Sequence, residues 1–163
     1  MATVSSGTAT VTLPTDEQIL ITREFDAPKD LVYKAYTSPE LVSRWWPGKR
    51  GRMLICEIDL RVGGTWRYVM TCTGGAEVAF HGEYLEIVPD ERIVATEVYE
   101  MAGDDADAVL NTVTFTELDG RTTLELLTQC PSHEIRDIII DSGMEGGMQE
   151  GMDLLEEIAI SLG

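Results

Sequence analysis

Two side chains in this sequence have the types and spacing for acid–base chemistry. His81 and Glu83 lie two residues apart in the segment FHGEYLEIV (residues 80–88), which alternates like a β-strand. Alternation places both on one face, where an imidazole and a carboxylate could exchange a proton. A lone strand histidine is more often exposed or structurally hydrogen-bonded than catalytic. We therefore treat His81 and Glu83 as weak candidates, name no catalytic residue, and lean against an enzyme.

Other motifs that carry chemistry are missing from the sequence. It contains no nucleophile elbow, no phosphate-binding glycine loop, and no spacing of His, Cys and Asp typical of a metal site. The three cysteines, Cys56, Cys72 and Cys130, are widely spaced and each lies in an apolar, strand-like segment. This favours buried reduced thiols over a disulfide framework or a zinc site. We expect no metal and no cofactor.

Two adjacent tryptophans stand in the segment LVSRWWPGKRG (residues 41–51). Neighbouring side chains diverge by about 100° on a helix, so Trp45 and Trp46 cannot point the same way. Either one is core and the other lies at the surface, or both border a cavity from different sides. Four cations surround the pair and could attract an anionic group, although solvated surface charge is the commoner role: Arg44, Lys49, Arg50 and Arg52.

The charge of the chain limits its partners. The formal net charge is −17, and residues 83–163 hold 20 acidic but only 3 basic side chains. Nucleic acids and anionic membranes need clustered Lys and Arg, so we expect neither as a partner. No apolar run approaches the ~20 residues of a membrane span, and the N-terminus lacks the features of a secretion signal. We expect a cytoplasmic protein with a single domain over residues 1–163.

The periodicity of the chain changes twice. A strand-like run, QILITREF (residues 18–25), precedes a helix that begins at Pro28 and a second short helix that Pro47 and Gly48 end. Residues 1–14 read as a loosely ordered extension or an edge strand. The middle of the chain alternates with period two, as in an antiparallel meander. The predicted strands are Met53–Asp59, Thr65–Thr73, Glu77–Val88, Arg92–Tyr99, Asn111–Leu118 and Arg121–Gln129.

The end of the chain is helical, and Ser142 with Glu145 fits a capping box. One predicted face is apolar and should lie on the sheet; it includes Gly147 and Gly151. The other is polar and includes Gln149. Each glycine costs about 1 kcal/mol relative to alanine in a helix interior. The two glycines serve either close packing or a cavity, and the sequence leaves both possibilities open.

The opposite wall is aromatic. Trp66, Tyr68 and Met70 share one face of a predicted strand, and Val78, Phe80 and Tyr84 share a face of the next. Buried Trp and Tyr need partners for their polar atoms, which suits a partly wet cavity better than a dry core. The alternative is an ordinary sheet surface with partly exposed aromatic rings. The predicted cavity lining is Trp45, Trp46, Trp66, Tyr68, Met70, Val78, Phe80, Tyr84, Val113, Phe115, Gly147, Met148, Gly151, Met152 and Leu155.

Five segments resemble a known superfamily. They are ITREFDAPKDLVYKAYTSPELVSRWW (residues 21–46), DLRVGGTWRYVM (59–70), FHGEYLEIVPDERIV (80–94), FTELDGRTTLELL (115–127) and GMEGGMQEGMDLLEEI (143–158). The chain is similar to the START-like, helix-grip superfamily, and within it to the family related to the C-terminal domain of the activator of the Hsp90 ATPase. The resemblance implies an α+β fold with a curved antiparallel sheet of about six to seven strands wrapped on a long C-terminal helix, and two short helices after the first strand.

The resemblance also implies an interior cavity, which in many relatives holds a lipid, polyketide or other apolar small molecule. Three functions remain. The first is a binding module for an apolar or amphipathic small molecule. The second is an enzyme of cyclase, dehydratase or hydrolase type that uses the same cavity. The third is a protein-interaction domain, with a chaperone as its partner. Fold alone does not decide among them. The protein would act as a monomer or a homodimer.

Overall fold

The computed structural model describes residues 2–3, 9–49, 51–72, 74–102 and 108–163. Arg50, one of the four cations beside the tryptophans, lies outside the described residues, as do Thr73, the predicted end of a strand, and residues 103–107. The strands are β1 (Ala2–Thr3), β2 (Thr10–Leu13), β3 (Gln18–Phe25), β4 (Arg52–Ile58), β5 (Thr65–Thr71), β6 (Glu77–Val88), β7 (Arg92–Tyr99), β8 (Val109–Leu118) and β9 (Arg121–Gln129). The helices are α1 (Lys29–Thr37), α2 (Pro39–Trp45), α3 (His133–Asp141) and α4 (Met144–Ser161).

The strands form one antiparallel sheet in the order β1-β2-β3-β9-β8-β7-β6-β5-β4. Strands β4 to β9 form a meander, and β9 then returns beside β3 in a register that runs from Gln18 opposite Gln129 to Phe25 opposite Thr122. Helices α1 and α2 carry the chain from β3 across to β4 at the far edge. The predicted helix-grip fold is confirmed. The sheet has nine described strands rather than six to seven, because residues 2–3 and 10–13 extend it beyond β3.

Strand β6 approaches β7 very closely at Gly82. A Cβ atom on Gly82 would lie 1.8 Å from the carbonyl oxygen of Thr96, so no side chain fits there without separating the strands. The indole N–H of Trp66 crosses this position and donates to the same carbonyl at 3.2 Å. Because Gly82 has no side chain, β6 and β7 can approach closely, and the indole of Trp66 can cover Gly82.

The core lies between one face of the sheet and helices α1, α2 and α4. Its fully buried side chains come from strands and helices alike, including Phe25, Leu124, Val32, Val42 and Leu155. We call the face of the sheet that meets these helices the inner face. On it, alternate residues of β7 and β9 are buried, as period-two patterning requires.

The start of α4 differs from the prediction. Gly143, with φ of 84°, is the N-cap of α4, and Ser142 instead ends α3, where its hydroxyl donates to the carbonyl of Ile139 at 2.6 Å. The predicted capping box is therefore wrong. A left-handed glycine between two helices ends the first and redirects the chain into the second. Helix α3 has its own side-chain cap, since the hydroxyl of Ser132 accepts from the backbone N–H of Ile135.

The predicted faces of α4 need two corrections. Gln149, placed on the polar face, is buried: its side-chain oxygen accepts from the backbone N–H of Ala9 at 2.9 Å, and its amide donates to the carbonyl of Ala9 at 2.8 Å. Gly147, placed on the apolar face, is exposed, and a Cβ there would meet nothing within 4 Å. The side chain of Gln149 thus satisfies the buried backbone N–H and carbonyl of Ala9. The polarity of residue 149 alone does not predict this role.

A buried arginine joins the sheet to the same helix. Arg23 of β3 is 4% exposed, and its guanidinium donates to Asp153 at 2.8 Å and lies 3.4 Å from Glu156. The guanidinium also lies 4.7 Å from the centre of the Phe25 ring. A buried cation requires such partners, because its removal from water costs several kcal/mol. Arg23 therefore fixes α4 to β3 along the second half of the helix.

Gly151 lies where α4 contacts the end of α2. A Cβ atom there would lie 3.0 Å from the backbone carbonyl oxygen of Trp45 and 3.7 Å from its ring. A backbone atom gives way less readily than the end of a flexible side chain. Of the two roles considered for the glycines, close packing therefore applies to Gly151, and neither applies to the exposed Gly147.

Replacing Gln149 by leucine is expected to lower the free energy of unfolding by about 1–3 kcal/mol, because both polar backbone groups of the buried Ala9 lose their partners. The matched control is Glu157→Leu on the exposed side of the same helix, which should change stability by less than about 0.5 kcal/mol. Urea unfolding of the two variants beside the parent chain measures the difference. Equal midpoints for both variants would contradict the role assigned to Gln149.

Gly151→Leu and Gly147→Leu form a second matched pair. Both gain helix propensity, but only the leucine at 151 overpacks the contact with Trp45, so that variant should lose about 1–3 kcal/mol. Gly147→Leu should be neutral or more stable, because its side chain meets open space. Thermal unfolding of the two variants measures the difference. If Gly151→Leu were as stable as Gly147→Leu, α2 and α4 would not be in tight contact.

Candidate functional site

An aromatic wall covers the inner face of β5 and β6. Trp66 pairs with Gly82, Tyr68 with Phe80, and Met70 with Val78, so these residues share one face; Tyr84 follows on the same face. Trp66, Tyr68 and Tyr84 are buried, and the other three large side chains are half-buried. The rings of Trp66 and Tyr68 lie 4.7 Å apart, between centroids.

The two adjacent tryptophans have different surroundings. Trp45 is 5% exposed; its indole N–H donates to the carbonyl of Ala35 at 2.9 Å, and its ring lies 5.2 Å from that of Tyr36. Trp46 is half-buried and turns to the aromatic wall, with its ring 4.9 Å from Tyr68 and 6.1 Å from Phe80. The end of α2 thus contributes one ring to the helical layer and one to the wall.

The remaining predicted lining residues divide between β8 and α4. Val113 and Phe115 are buried on β8, where the ring of Phe115 lies 5.7 Å from that of Tyr36. On α4, Met152 and Leu155 are buried and Met148 is half-buried. Of the predicted set, Gly147 alone is exposed.

A chain of polar side chains that the sequence analysis missed crosses three neighbouring strands. Glu97 of β7 accepts from the side-chain amide of Asn111 on β8 at 2.7 Å, and the oxygen of that amide accepts from the hydroxyl of Thr128 on β9 at 2.7 Å. By strand alternation all three lie on the inner face, in line with Ile93, Val113 and Leu124. Three polar residues at inward positions of buried strands are the signal that could have identified them.

The environment of this polar chain changes its acid–base properties. Burial raises the pKa of Glu97, and the hydrogen bond from Asn111 offsets part of that rise. Burial also raises the pKa of Tyr36 and Tyr68, and the charge of Glu97 adds to both shifts. The pKa of Tyr84 is raised first by burial and then by Tyr36. Glu97 therefore lies close enough to Tyr36 and Tyr68 to affect both, and Tyr84 lies close enough to interact with the same two phenols.

The hydroxyls of Tyr36, Tyr68 and Tyr84 have no hydrogen-bond partner among the residues that the structure describes. Tyr68 and Tyr84 are 8% and 6% exposed. The hydroxyl oxygens themselves are not among the fully buried unpaired atoms of the described residues, so water or a bound molecule can reach them and supply the partner.

His81 and Glu83 do not form the expected pair. His81 Nδ1 lies 2.9 Å from Glu100 Oε2, and both oxygens of Glu100 accept from Arg67, at 2.9 and 3.0 Å. These hydrogen bonds, those of Arg67 first, lower the pKa of Glu100 to about 2. The Glu83 side chain is exposed. Arg67 alternates with Trp66 and Tyr68, so this cluster lies on the outer face, beside an open cleft of about 460 Å³ across β4, β5 and β6.

Three of the four cations near the tryptophans, Arg44, Lys49 and Arg52, are described, and all are exposed. Among the described residues, no group of three or more His, Cys, Asp or Glu side chains is placed to hold a metal ion. In the same part of the chain, no helix is both long and apolar enough to cross a membrane. The three cysteines are free thiols.

Single replacement of each adjacent tryptophan by phenylalanine is expected to give different results. Trp46→Phe should remove the part of the emission that acrylamide quenches readily, whereas Trp45→Phe should remove shielded emission. Trp45→Phe should also cost about 1–3 kcal/mol of stability, because the buried carbonyl of Ala35 loses its indole donor. Equal changes in quenching for the two variants would show that the two indoles have similar surroundings.

Comparison with known proteins agrees with this architecture. Residues 26–159 match the family described as activator of Hsp90 ATPase homolog 1-like protein. Solved structures similar to the chain include a protein from Rhodobacter sphaeroides, with 24% identity, a TM-score of 0.84, and coverage of 94% of this chain and 98% of that one. Another, from Mycobacterium smegmatis, has 23% identity and a TM-score of 0.83, with 96% of each chain covered.

A third solved structure, from Chromobacterium violaceum, has 27% identity and a TM-score of 0.74, with coverage of 86% of this chain and 96% of that one. No curated protein matches the chain. The family match extends over well more than half of the sequence, from the end of β3 to the last turns of α4. The chain therefore belongs to the family of activator of Hsp90 ATPase homolog 1-like proteins.

Proposed function

We propose that this protein is a binding module that holds an apolar or amphipathic small molecule between the inner face of the sheet and the helices. One observation carries the proposal: three phenol hydroxyls without partners among the described residues lie near a carboxyl group, within a wall of aromatic rings. Small-molecule sites combine mainly apolar and aromatic lining with a few polar groups that orient the ligand. The inner face has this composition.

The methionines of α4 and the ring of Trp46 support the same proposal. Met148 and Met152 of α4 are unbranched, and such side chains adapt to occupants of different shape. Trp46 is half-buried at the end of α2 and lies against Tyr68 of the sheet. A ring at this position can contact a bound molecule and also shield it from water. These features fit a site that tolerates several related ligands.

The alternative of an enzyme has weaker support. The side chains with acid–base character, His81 and Glu100, lie on the outer face, separated by the sheet from Tyr68 and Tyr84. Arg67 engages both oxygens of Glu100, which suits an ion-pair cluster that links β5, β6 and the turn after β7. We propose no catalytic residue.

A chaperone-associated role would require an extended apolar surface. The most exposed large apolar residues instead lie on separate elements: Val62 in the turn before β5, Leu118 at the end of β8 and Ile138 on α3. Smaller groups of exposed apolar residues, such as Leu54 with Ile55 and Leu60 with Val62, also occur, but exposed apolar residues are common on soluble proteins and do not by themselves mark a docking surface. The small-molecule site is therefore the better supported of the two functions that the family suggests.

The proposal predicts opposite outcomes for two variants of β7. Ala95 is buried on the inner face, opposite Tyr84 and Asn111, so Ala95→Phe should fill the site and abolish saturable, one-to-one binding of an apolar naphthalene probe. The thermal midpoint should be retained, since the new ring occupies space rather than displacing packed atoms. The control is Val94→Phe, on the other face of the same strand, which should bind the probe normally.

A large fall in the midpoint of Ala95→Phe, with no saturable probe binding by the parent chain, would indicate a tightly packed interior and contradict the proposed function. Overpacking a core typically lowers the free energy of unfolding by about 1–3 kcal/mol.

A further inference from the structure

We infer that the polar group of the bound molecule is a protonated amine, which Glu97 binds among the aromatic rings of the inner face. This inference rests on the proposed function and names the class of ligand for that site. Three observations support the inference: Glu97 has an unused hydrogen-bond acceptor, its carboxylate is held in place by neighbouring side chains, and aromatic rings and hydroxyls surround the site.

Glu97 is the side chain whose bonding is incomplete. One carboxylate oxygen accepts from Asn111, which is the single hydrogen bond that Glu97 makes within the described part of the chain. No Lys, Arg or His among those residues lies within ion-pair distance of it. The contrast with Arg23 is informative: that buried cation has two carboxylates beside it. Glu97 is half-buried rather than fully buried, but its burial still disfavours the charged form, and a cationic ligand at its second oxygen would offset that cost.

Asn111 holds the carboxylate in a fixed position. The nitrogen of its amide donates to Glu97 and the oxygen accepts from the hydroxyl of Thr128, so the Asn111 side chain bridges β7 and β9. The three side chains come from adjacent strands of the sheet and therefore form a rigid support. A donor from the sheet already occupies one carboxylate oxygen, and the other remains available to a donor from the ligand. Rigid support of this kind favours recognition, because little freedom is lost on binding.

The surrounding groups favour a cation over an anion. The ring of Trp46 lies 4.9 Å from that of Tyr68 and 6.1 Å from that of Phe80, and aromatic faces attract an ammonium group. The hydroxyls of Tyr68 and Tyr84 can accept from its N–H groups. A carboxylic acid would instead meet the like charge of Glu97. The exposed cations Arg44, Lys49 and Arg52 lie outside this interior and cannot neutralise that charge.

Three ligands with one apolar body test the inference: 2-(2-naphthyl)ethylamine, 2-(2-naphthyl)ethanol and 2-naphthylacetic acid. Calorimetry at pH 7 should show the amine binding most tightly to the parent chain and the acid most weakly. Glu97→Gln keeps the shape of the side chain and removes its charge. This variant should bind the amine about tenfold or more weakly and the alcohol within about twofold of the parent chain.

The matched control is Glu125→Gln, which changes the net charge equally but lies exposed on the outer face of β9. It should leave all three affinities unchanged, and Glu97→Asp should keep the preference for the amine. Equal weakening by Glu125→Gln would show general attraction to an acidic protein and overturn the inference. An unchanged amine affinity in Glu97→Gln would also overturn it while leaving the proposed function intact. Failure of all three ligands to bind the parent chain would instead contradict the proposed function.

Discussion

The close contact between α4 and the end of α2 determines where the aromatic side chains of the site lie. Because residue 151 has no side chain, the helix backbone approaches the Trp45 carbonyl to a distance at which a Cβ would lie 3.0 Å away. This contact fixes the last turn of α2 and with it the directions of two consecutive rings. Trp45 then packs on Tyr36 in the helical layer, and Trp46 reaches Tyr68 in the sheet. Gln149 and Arg23 hold α4 on either side of the contact.

The fold was largely predictable because its signals are local. Strand alternation does not depend on tertiary structure, so the shared faces of β5 and β6 followed from the sequence once the strands were recognised. The faces of α4 were less predictable. Periodicity sorts residues by polarity, and it assigned Gln149 to solvent because the sequence does not show that the backbone of Ala9 needs a partner there. The same limitation placed Gly147 on the buried face.

The candidate site was predictable only in its apolar part. Aromatic residues at alternate positions of a strand predict an aromatic face. Glu97, Asn111 and Thr128 give no such pattern along the chain, and only the registers of β7, β8 and β9 bring them together. His81 illustrates the same point. Its spacing suggested Glu83 as a partner, but strand pairing places it opposite Val98, which brings Glu100 within reach. Sequence spacing predicts neighbours along a strand and not those across a sheet.

The hydrogen bonds of Gln149 have a consequence for folding. They join residues 140 positions apart, and β3 pairs with β9 across about a hundred residues. Contacts of such long sequence separation form late, because the entropy of closing a long loop must be lost first. During synthesis the meander from β4 to β9 emerges before α4, so its aromatic face is without its covering helix until the last helix is made. The nascent chain is therefore most prone to aggregation over that interval.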